Sequence, residues 1–196
     1  MIYGVLLAAG LSTRMGQPKQ LLTWQGQPLV RHVAQQALAS RLDGLIVVVG
    51  AEAAATHAAL VGLGGPLQTI ENSGYLSGQA SSLQVGLGAL PSAAQAAVVL
   101  LVDQPLITSA LVNQVLAAYQ QSDALAIIPR YADQRGNPVL LARPLFDELK
   151  ALTGDVGARV VLNRYPESIR WLDVDDPAVV TDMDTPEAYE LAKRKI

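Results

Sequence analysis

Ile2-Tyr3-Gly4-Val5-Leu6-Leu7-Ala8-Ala9-Gly10-Leu11-Ser12-Thr13-Arg14-Met15-Gly16-Gln17-Pro18-Lys19 decides the architecture of this chain. The stretch Ile2–Ala8 is an almost unbroken apolar run, as a strand buried on both faces of a parallel sheet requires. From Ala8 the run passes into small residues and then into a loop that carries two cations and no carboxylate. In open α/β sheets ligands bind at the carboxyl ends of strands, where this loop begins. Ala8, Ala9 and Gly10 are small enough to let a phosphate or a base approach the backbone, whose N–H groups can form an anion nest. Arg14 can fork two phosphate oxygens, and Lys19 supplies a mobile point charge.

Two familiar phosphate loops fail on spacing. A P-loop reads G-x4-G-K-[ST], but here five residues separate Gly10 from Gly16 and the lysine is displaced to Lys19. The dinucleotide fingerprint G-x-G-x-x-G does not follow the first strand.

Outward from this loop, apolar runs alternate with helical patterns. Helices are expected over Pro28–Ser40, Glu52–Val61, Ser81–Leu90, Ser109–Gln121, Asp155–Asn163 and Pro186–Lys195. Strands are expected at Leu45–Val49, Leu67–Ile70, Val98–Val102, Leu125–Pro129 and Ile169–Val174. The rhythm breaks at Gly136-Asn137-Pro138, where Val139–Leu141 follows with no intervening helix, so that strand should run antiparallel or lie at an edge. Thr185-Pro186 is a helix start, a capping residue before an N1 proline. The pattern gives a three-layer α/β/α fold with a mostly parallel, mixed sheet, read as one domain over residues 1–196.

Composition narrows the function classes. Hydrophobic residues make up 51% and charged residues 16%, so the chain has a core to bury and is not disordered. A net charge of −3 argues against a general nucleic-acid binder. All 17 acidic residues lie beyond residue 42, whereas Arg14, Lys19, Arg31 and Arg41 precede it, so the basic start suggests a local anion site. Cysteine is absent, which removes disulfides, thiolate metal sites and a thiol nucleophile and fits a cytoplasmic protein. Met1–Ala9 has no basic leader and reads as a strand, and the run Ala96–Val102 is too short to span a bilayer. No G-x-S-x-G elbow occurs, and His32 and His57 fall in helical patterns and read as ordinary helix residues.

Asp103 directly follows the Val98–Val102 run, at the carboxyl end of a central strand, and should face the first loop. Mg²⁺ is typically held by one or two carboxylates together with substrate phosphates and water, so Asp103 is a candidate metal ligand, with a turn cap as the alternative. Asp182 and Asp184 alternate in an extended segment. One would face the metal and the other could cap the helix that opens at Pro186. Asp173, Asp175 and Asp176 read as a solvated turn.

The string Leu7–Lys19 resembles the signature of nucleotidyltransferases with a Rossmann-like nucleotide-diphospho-sugar-transferase fold. The chain is most similar to the MobA-like family and, within it, to the molybdenum cofactor cytidylyltransferase branch. Further islands match in order: Gly78–Leu83, Asp103-Gln104-Pro105, Gly136-Asn137-Pro138, Gly154–Arg159 and Asp182–Pro186. Ala188 departs from the family, which commonly has Asp there.

The resemblance implies transfer of CMP from CTP to the phosphate of molybdopterin or its molybdenum-bearing form, with Mg²⁺ as cofactor and release of pyrophosphate. It gives catalytic roles to Arg14, Lys19 and Asp103, and metal ligation to Asp103 and Asp182. Nucleotide contacts fall to Leu7, Ala8, Ala9, Gly10, Ser12, Arg14, Lys19, Gly78, Gln79 and Ser82. Acceptor contacts fall to Asn137, Pro138, Asp155 and Arg159. A molybdoenzyme or its chaperone is the protein partner implied, with the chain itself a monomer or weak homo-oligomer. Gly78–Leu83 also reads as a helix start capped by serine, and Gly154–Arg159 as one capped by Asp155. The alternatives are GTP-dependent guanylyl transfer onto the same cofactor, cytidylyl transfer onto an isoprenoid precursor, and a non-catalytic nucleotide-binding accessory protein. Ala8-Ala9 leans toward CTP, because the GTP-using branch usually has glycine second.

Overall fold

The computed structural model describes residues 1–194. In chain order the elements are β1 (Ile2–Ala8), β2 (Thr23–Trp24), β3 (Gln27–Pro28), α1 (Leu29–Leu38), β4 (Gly44–Val49), α2 (Ala53–Leu60), β5 (Leu67–Glu71) and α3 (Gln79–Gly88). Then come β6 (Ala96–Leu101), α4 (Ser109–Gln120), β7 (Ala126–Tyr131), β8 (Gln134–Arg135), β9 (Val139–Ala142), α5 (Phe146–Lys150), α6 (Arg159–Leu162), β10 (Ile169–Asp173) and α7 (Pro186–Lys193). Lys195, at the expected end of the last helix, lies outside the described residues.

The main sheet runs β10-β7-β9-β6-β1-β4-β5, with β8 attached to β7. β1 pairs parallel with both β4 and β6, and β10 pairs parallel with β7, while β9 runs antiparallel to β6 and β7. The carboxyl ends of β1, β4, β6 and β7 therefore share one edge of the sheet. The antiparallel β9 begins at that same edge, immediately after Asn137-Pro138.

Alternation along the strands sends side chains to two cores. Leu6, Ala8, Val47 and Val98 join α1 and α4 on one face. Val5, Leu7, Val48 and Val99 join α3, α5 and α6 on the other. This is the three-layer, mostly parallel mixed sheet expected from the alternating pattern. A Cβ on Gly86 would stand 2.4 Å from Val5 Cγ1, so glycine there lets α3 sit directly on β1. A third cluster, containing Met15, Leu22, Trp24, Leu29, Met183 and Tyr189, ties the first loop to the last helix. Among the described residues no helix is long and apolar enough to cross a membrane.

Several expectations need correction. Of the two options for Val139–Ala142 the antiparallel one holds, and the strand lies inside the sheet between β6 and β7. The segment expected as a helix from Asp155 is helical only at Arg159–Leu162, and Ala158, not Asp155, precedes its first residue. The long first loop contains the small β2–β3 hairpin, and α5 follows Pro144. Asp173 is a strand residue paired with Arg130 at 2.7 Å, and Asp176 caps the turn at Pro177 by accepting from the Ala178 N–H. Thr185 accepts from the Ala188 N–H, the cap expected at that position.

Candidate active site

The first loop folds back on itself. Ser12 takes a left-handed conformation (φ 56°), the Met15 N–H donates to Ser12 O, and the Lys19 N–H donates to Ser12 Oγ at 2.9 Å. Met15 is buried in the third cluster and anchors the loop. The side chains of Arg14 and Lys19 are thereby held over the ends of β1 and β6. Gln20 is buried, donates from Nε2 to Ala51 O at 2.9 Å, and lashes this loop to the end of β4.

Lys19 Nζ donates to Asp103 Oδ2 at 2.9 Å and also to Asp184 Oδ1. Arg14 contacts the other oxygen of Asp184 at 2.7 Å. The Met183 N–H donates to Asp103 O at 2.9 Å, which fixes the 182–184 segment beside the end of β6. Burial works against the Lys19 charge, but the Asp103 and Asp184 carboxylates outweigh it and hold the ammonium above its ordinary pKa. Burial pushes the Asp103 carboxyl up against the pull of Lys19, and repulsion from Asp184 and Asp182 adds to the rise. Burial also acts to raise Asp184, but Lys19 and Arg14 bring it below the usual carboxylate range.

Arg14, Lys19 and Asp103 line a cleft of about 520 Å³. Leu7, Ala9, Gly10, Ser12, Arg14 and Lys19 line one wall, Gly78, Gln79, Ser82 and Asp155 another, and Asp103 the floor. Ser82 is held by Asn72, whose Nδ2 donates to it at 3.0 Å. Gly78 carries φ +107°, and a Cβ there would stand 2.5 Å from the Gly154 backbone, so the two segments that build this wall meet at a glycine contact. The Gln79 N–H donates to Asp155 Oδ1 at 3.2 Å. Asp155 therefore serves the start of α3 instead of a helix of its own. The serine expected to cap α3 turns back instead, as Ser81 donates to Gly78 O.

Of the residues singled out from the sequence, Leu7, Ala9, Gly10, Ser12, Arg14, Lys19, Gly78, Gln79, Ser82, Asp103 and Asp155 come together in this cleft. Ala8 does not line it, because its side chain points into the α1–α4 core. Asn137, Pro138 and Arg159 stand outside the lining, toward β9 and α6. Of Asp182 and Asp184, it is Asp184 that meets the two cations of the first loop. Asp184 faces Lys19 and Arg14, Thr185 does the capping, and Asp182 is exposed with its charge felt at Asp103. Gln20 lines the cleft too, an addition that the sequence does not announce, whereas Arg135, beside the Gly136-Asn137-Pro138 turn, stands outside the lining. Arg135 is half-buried, and burial together with the nearby Arg159 charge lowers its pKa.

The donor set suits a hard divalent cation. Oxygens of Asp103 and Asp184 converge on a single ammonium, so they already surround one cation-sized position. Among the described residues no group of three or more His, Cys, Asp or Glu is poised as a complete metal site. Two carboxylates completed by phosphate oxygens and water match the usual coordination of Mg²⁺.

A family model described as the MobA-like NTP transferase domain matches residues 4–169. The nicotine blue oxidoreductase of Paenarthrobacter nicotinovorans is 32% identical, over 95% of this chain and 93% of its own length. A molybdenum cofactor guanylyltransferase of Xanthomonas euvesicatoria is 37% identical, over 60% of this chain and 54% of its own length. Rv0371c from Mycobacterium tuberculosis superimposes with a TM-score of 0.85 at 31% identity, covering 100% of this chain and 99% of its own. A structure of Rv0371c in complex with manganese gives a TM-score of 0.82 at 29% identity, covering 100% of this chain and 99% of its own.

Proposed function

The chain belongs to the MobA-like NTP transferase family, and from that premise we propose that it moves CMP from CTP onto the phosphate of molybdopterin or its molybdenum-bearing form. The observation that carries this reading is the cleft itself: Arg14, Lys19 and Asp103 line it together with Gly10, Gly78 and Ser82, and Asp184 pairs directly with both cations at its border.

In the proposed reaction an oxygen of the acceptor phosphate attacks the α-phosphorus of CTP. The bond from that phosphorus to the bridging oxygen breaks, and pyrophosphate leaves with the electron pair. A phosphate monoester is mostly ionised near neutral pH, because its second pKa is about 6, so the nucleophile needs no general base. What the protein supplies is alignment of two anions and stabilisation of the leaving charge. Arg14 forks the β- and γ-phosphate oxygens, and Lys19 turns from its carboxylates to the same group. Asp103 and Asp184 would hold Mg²⁺, with Asp182 nearby, and the ion would supply neutralisation of phosphate charge. The manganese complex of the Mycobacterium tuberculosis relative supports a divalent ion in this fold.

The acceptor side is read at Asn137, Pro138, Asp155 and Arg159, at the sheet edge beyond Asp103. Arg135 joins them, since it stands half-buried near Arg159 with no carboxylate partner among the described residues. Ala9 lines the cleft, and the resemblance leans toward CTP there, because the GTP-using branch usually has glycine at this position. The oxidoreductase name of the Paenarthrobacter relative finds no parallel in the first loop, which lacks the dinucleotide fingerprint.

The test is pyrophosphate release from CTP, GTP, ATP and UTP with Mg²⁺ and molybdopterin, comparing the protein with Asp103→Ala. Release with CTP alone, dependent on molybdopterin and lost in the variant, is the expected result. Release with GTP instead assigns the protein to guanylyl transfer. No release with any nucleotide overturns the reading.

A further inference from the structure

We infer that Lys19 and Arg14 lock the metal-binding carboxylates in the free protein, so that a divalent cation enters with the nucleotide or after it, not before. The inference rests on the nucleotidyltransferase reading and adds an order of binding to it.

Three carboxylate oxygens that would face the metal are already engaged. Lys19 Nζ holds Asp103 Oδ2 at 2.9 Å together with Asp184 Oδ1, and Arg14 holds Asp184 Oδ2 at 2.7 Å. This is not a loose surface pair. The Lys19 side chain is only 12% exposed. Its own backbone N–H is bonded to Ser12 Oγ, and the segment bearing Asp184 is fixed to β6 through the Met183 N–H. Mg²⁺ needs oxygens at about 2.0–2.1 Å in a near-octahedral shell. It cannot take that position while an ammonium sits between the same oxygens, and the two positive charges repel.

A triphosphate resolves the conflict. Its oxygens are better partners for a guanidinium fork and an ammonium than two shared carboxylates are. As Arg14 and Lys19 swing onto the phosphates, Asp103 and Asp184 are released, and the same phosphates complete the metal's shell. Nucleotide binding therefore raises metal affinity, and by linkage the metal raises nucleotide affinity by the same factor.

Mn²⁺ alone is the probe, followed by the electron paramagnetic resonance of the free ion in the absence of any nucleotide. The wild-type protein should bind it weakly. Lys19→Met should bind it about tenfold more tightly or better, within the roughly 5–150-fold range of such couplings. The double variant Lys19→Met with Asp103→Asn should lose the gain, which locates it at this site. Lys150→Met, which removes a cation paired with Asp147 elsewhere, should leave affinity unchanged and so control for net charge. Arg14→Gln frees one oxygen of Asp184 and should give a smaller gain; it carries the test should Lys19→Met fail to fold.

Equal or weaker Mn²⁺ binding in the folded Lys19→Met and Arg14→Gln proteins overturns the lock, as does an equal gain in Lys150→Met. Failure of the transferase reading looks different. Pyrophosphate release would then be absent while the Mn²⁺ gain stands, whereas failure of the lock leaves release intact.

Discussion

Gly78→Ala tests the glycine contact that joins the 78–79 and 154–155 segments in one wall of the cleft. Gly78 has φ 107° and ψ 177°, a region that only glycine occupies without strain. Holding alanine there costs about 1–3 kcal/mol. The new Cβ would also lie 2.5 Å from the carbonyl carbon and oxygen of Gly154 and 2.6 Å from the nitrogen of Asp155. These are backbone atoms, so no side chain can swing aside, and overpacking adds about 1–3 kcal/mol. Alanine gives back about 0.4–1 kcal/mol by restricting the unfolded chain. The net loss is about 3 kcal/mol. For a chain of this size, at about 2–4 °C per kcal/mol, Tm should fall by about 6–12 °C. If the 154–155 segment moves instead, the Gln79–Asp155 and Ala80–Gly154 hydrogen bonds are lost, and the cost appears as weaker nucleotide binding. Thermal unfolding and nucleotide titration on the same preparation separate the two. Gly88→Ala is the control in the same helix: nothing lies within 4 Å of its Cβ, and it should be neutral or stabilising by up to about 1 kcal/mol. A Gly78→Ala protein with both Tm and nucleotide affinity unchanged would refute the reasoning.

Two further predictions concern what holds the site from behind. His32 is buried on α1 with Nε2 3.0 Å from Pro105 O, and burial lowers its pKa below the ordinary 6.5 even though that hydrogen bond pulls the other way. The unfolded chain therefore takes up the proton first, so this share of stability is full above about pH 6.5 and declines as pH falls toward the folded value. Denaturant unfolding at pH 7.5 and 5.5 should show a steeper loss for the wild type than for His32→Gln; equal losses would rule out the contribution. Met183 is 1% exposed in the third cluster, so Met183→Ala should cost about 2–5 kcal/mol and should weaken nucleotide binding through its neighbour Asp184. Calorimetry and nucleotide titration check both, and an unchanged Tm would show that the cluster does not anchor this segment.

The layers and their order could be read from periodicity because a buried parallel strand leaves a continuous apolar run, as Gly44–Val49 and Ala96–Leu101 do. The short pieces could not. The β2–β3 hairpin turns on Gln25 at φ 48° and Gly26 at φ 79°, and glutamine is not a residue whose chemistry announces a left-handed turn. The missing helix before Val139 left two options for that strand, an antiparallel pairing or an edge. Pro138, however, stands just ahead of Val139–Ala142, so the strand keeps its donors and enters the interior of the sheet.

At the site, the contiguous part was legible and the assembled part was not. Arg14, Lys19 and Asp103 lie next to elements with clear patterns, so their place at the sheet edge follows from the strand ends. Choosing between Asp182 and Asp184 required the orientation of an irregular segment, which period-two alternation does not determine. Gln20 was hidden for a different reason. It is buried because its Nε2 bonds to Ala51 O, a contact 31 positions away that leaves no mark on the local pattern.

The long-range links at the site tie its completion to the last segment of the chain. Lys19 meets Asp184 across 165 positions, and Tyr189 on α7 donates its hydroxyl to Thr23 O across 166. The Met183 N–H caps the end of β6, and its side chain packs with Met15 and Trp24. Each of these contacts needs both ends of the chain, whereas β1, β4 and β6 pair without the last segment. The strands alone place Lys19 opposite Asp103. Only the docking of residues 181–193 brings the second carboxylate to Lys19 and a partner to Arg14. The contact that completes the site is thus also the one that closes the third core, which couples the position of Asp184 to the packing of Met183, Tyr189 and Trp24.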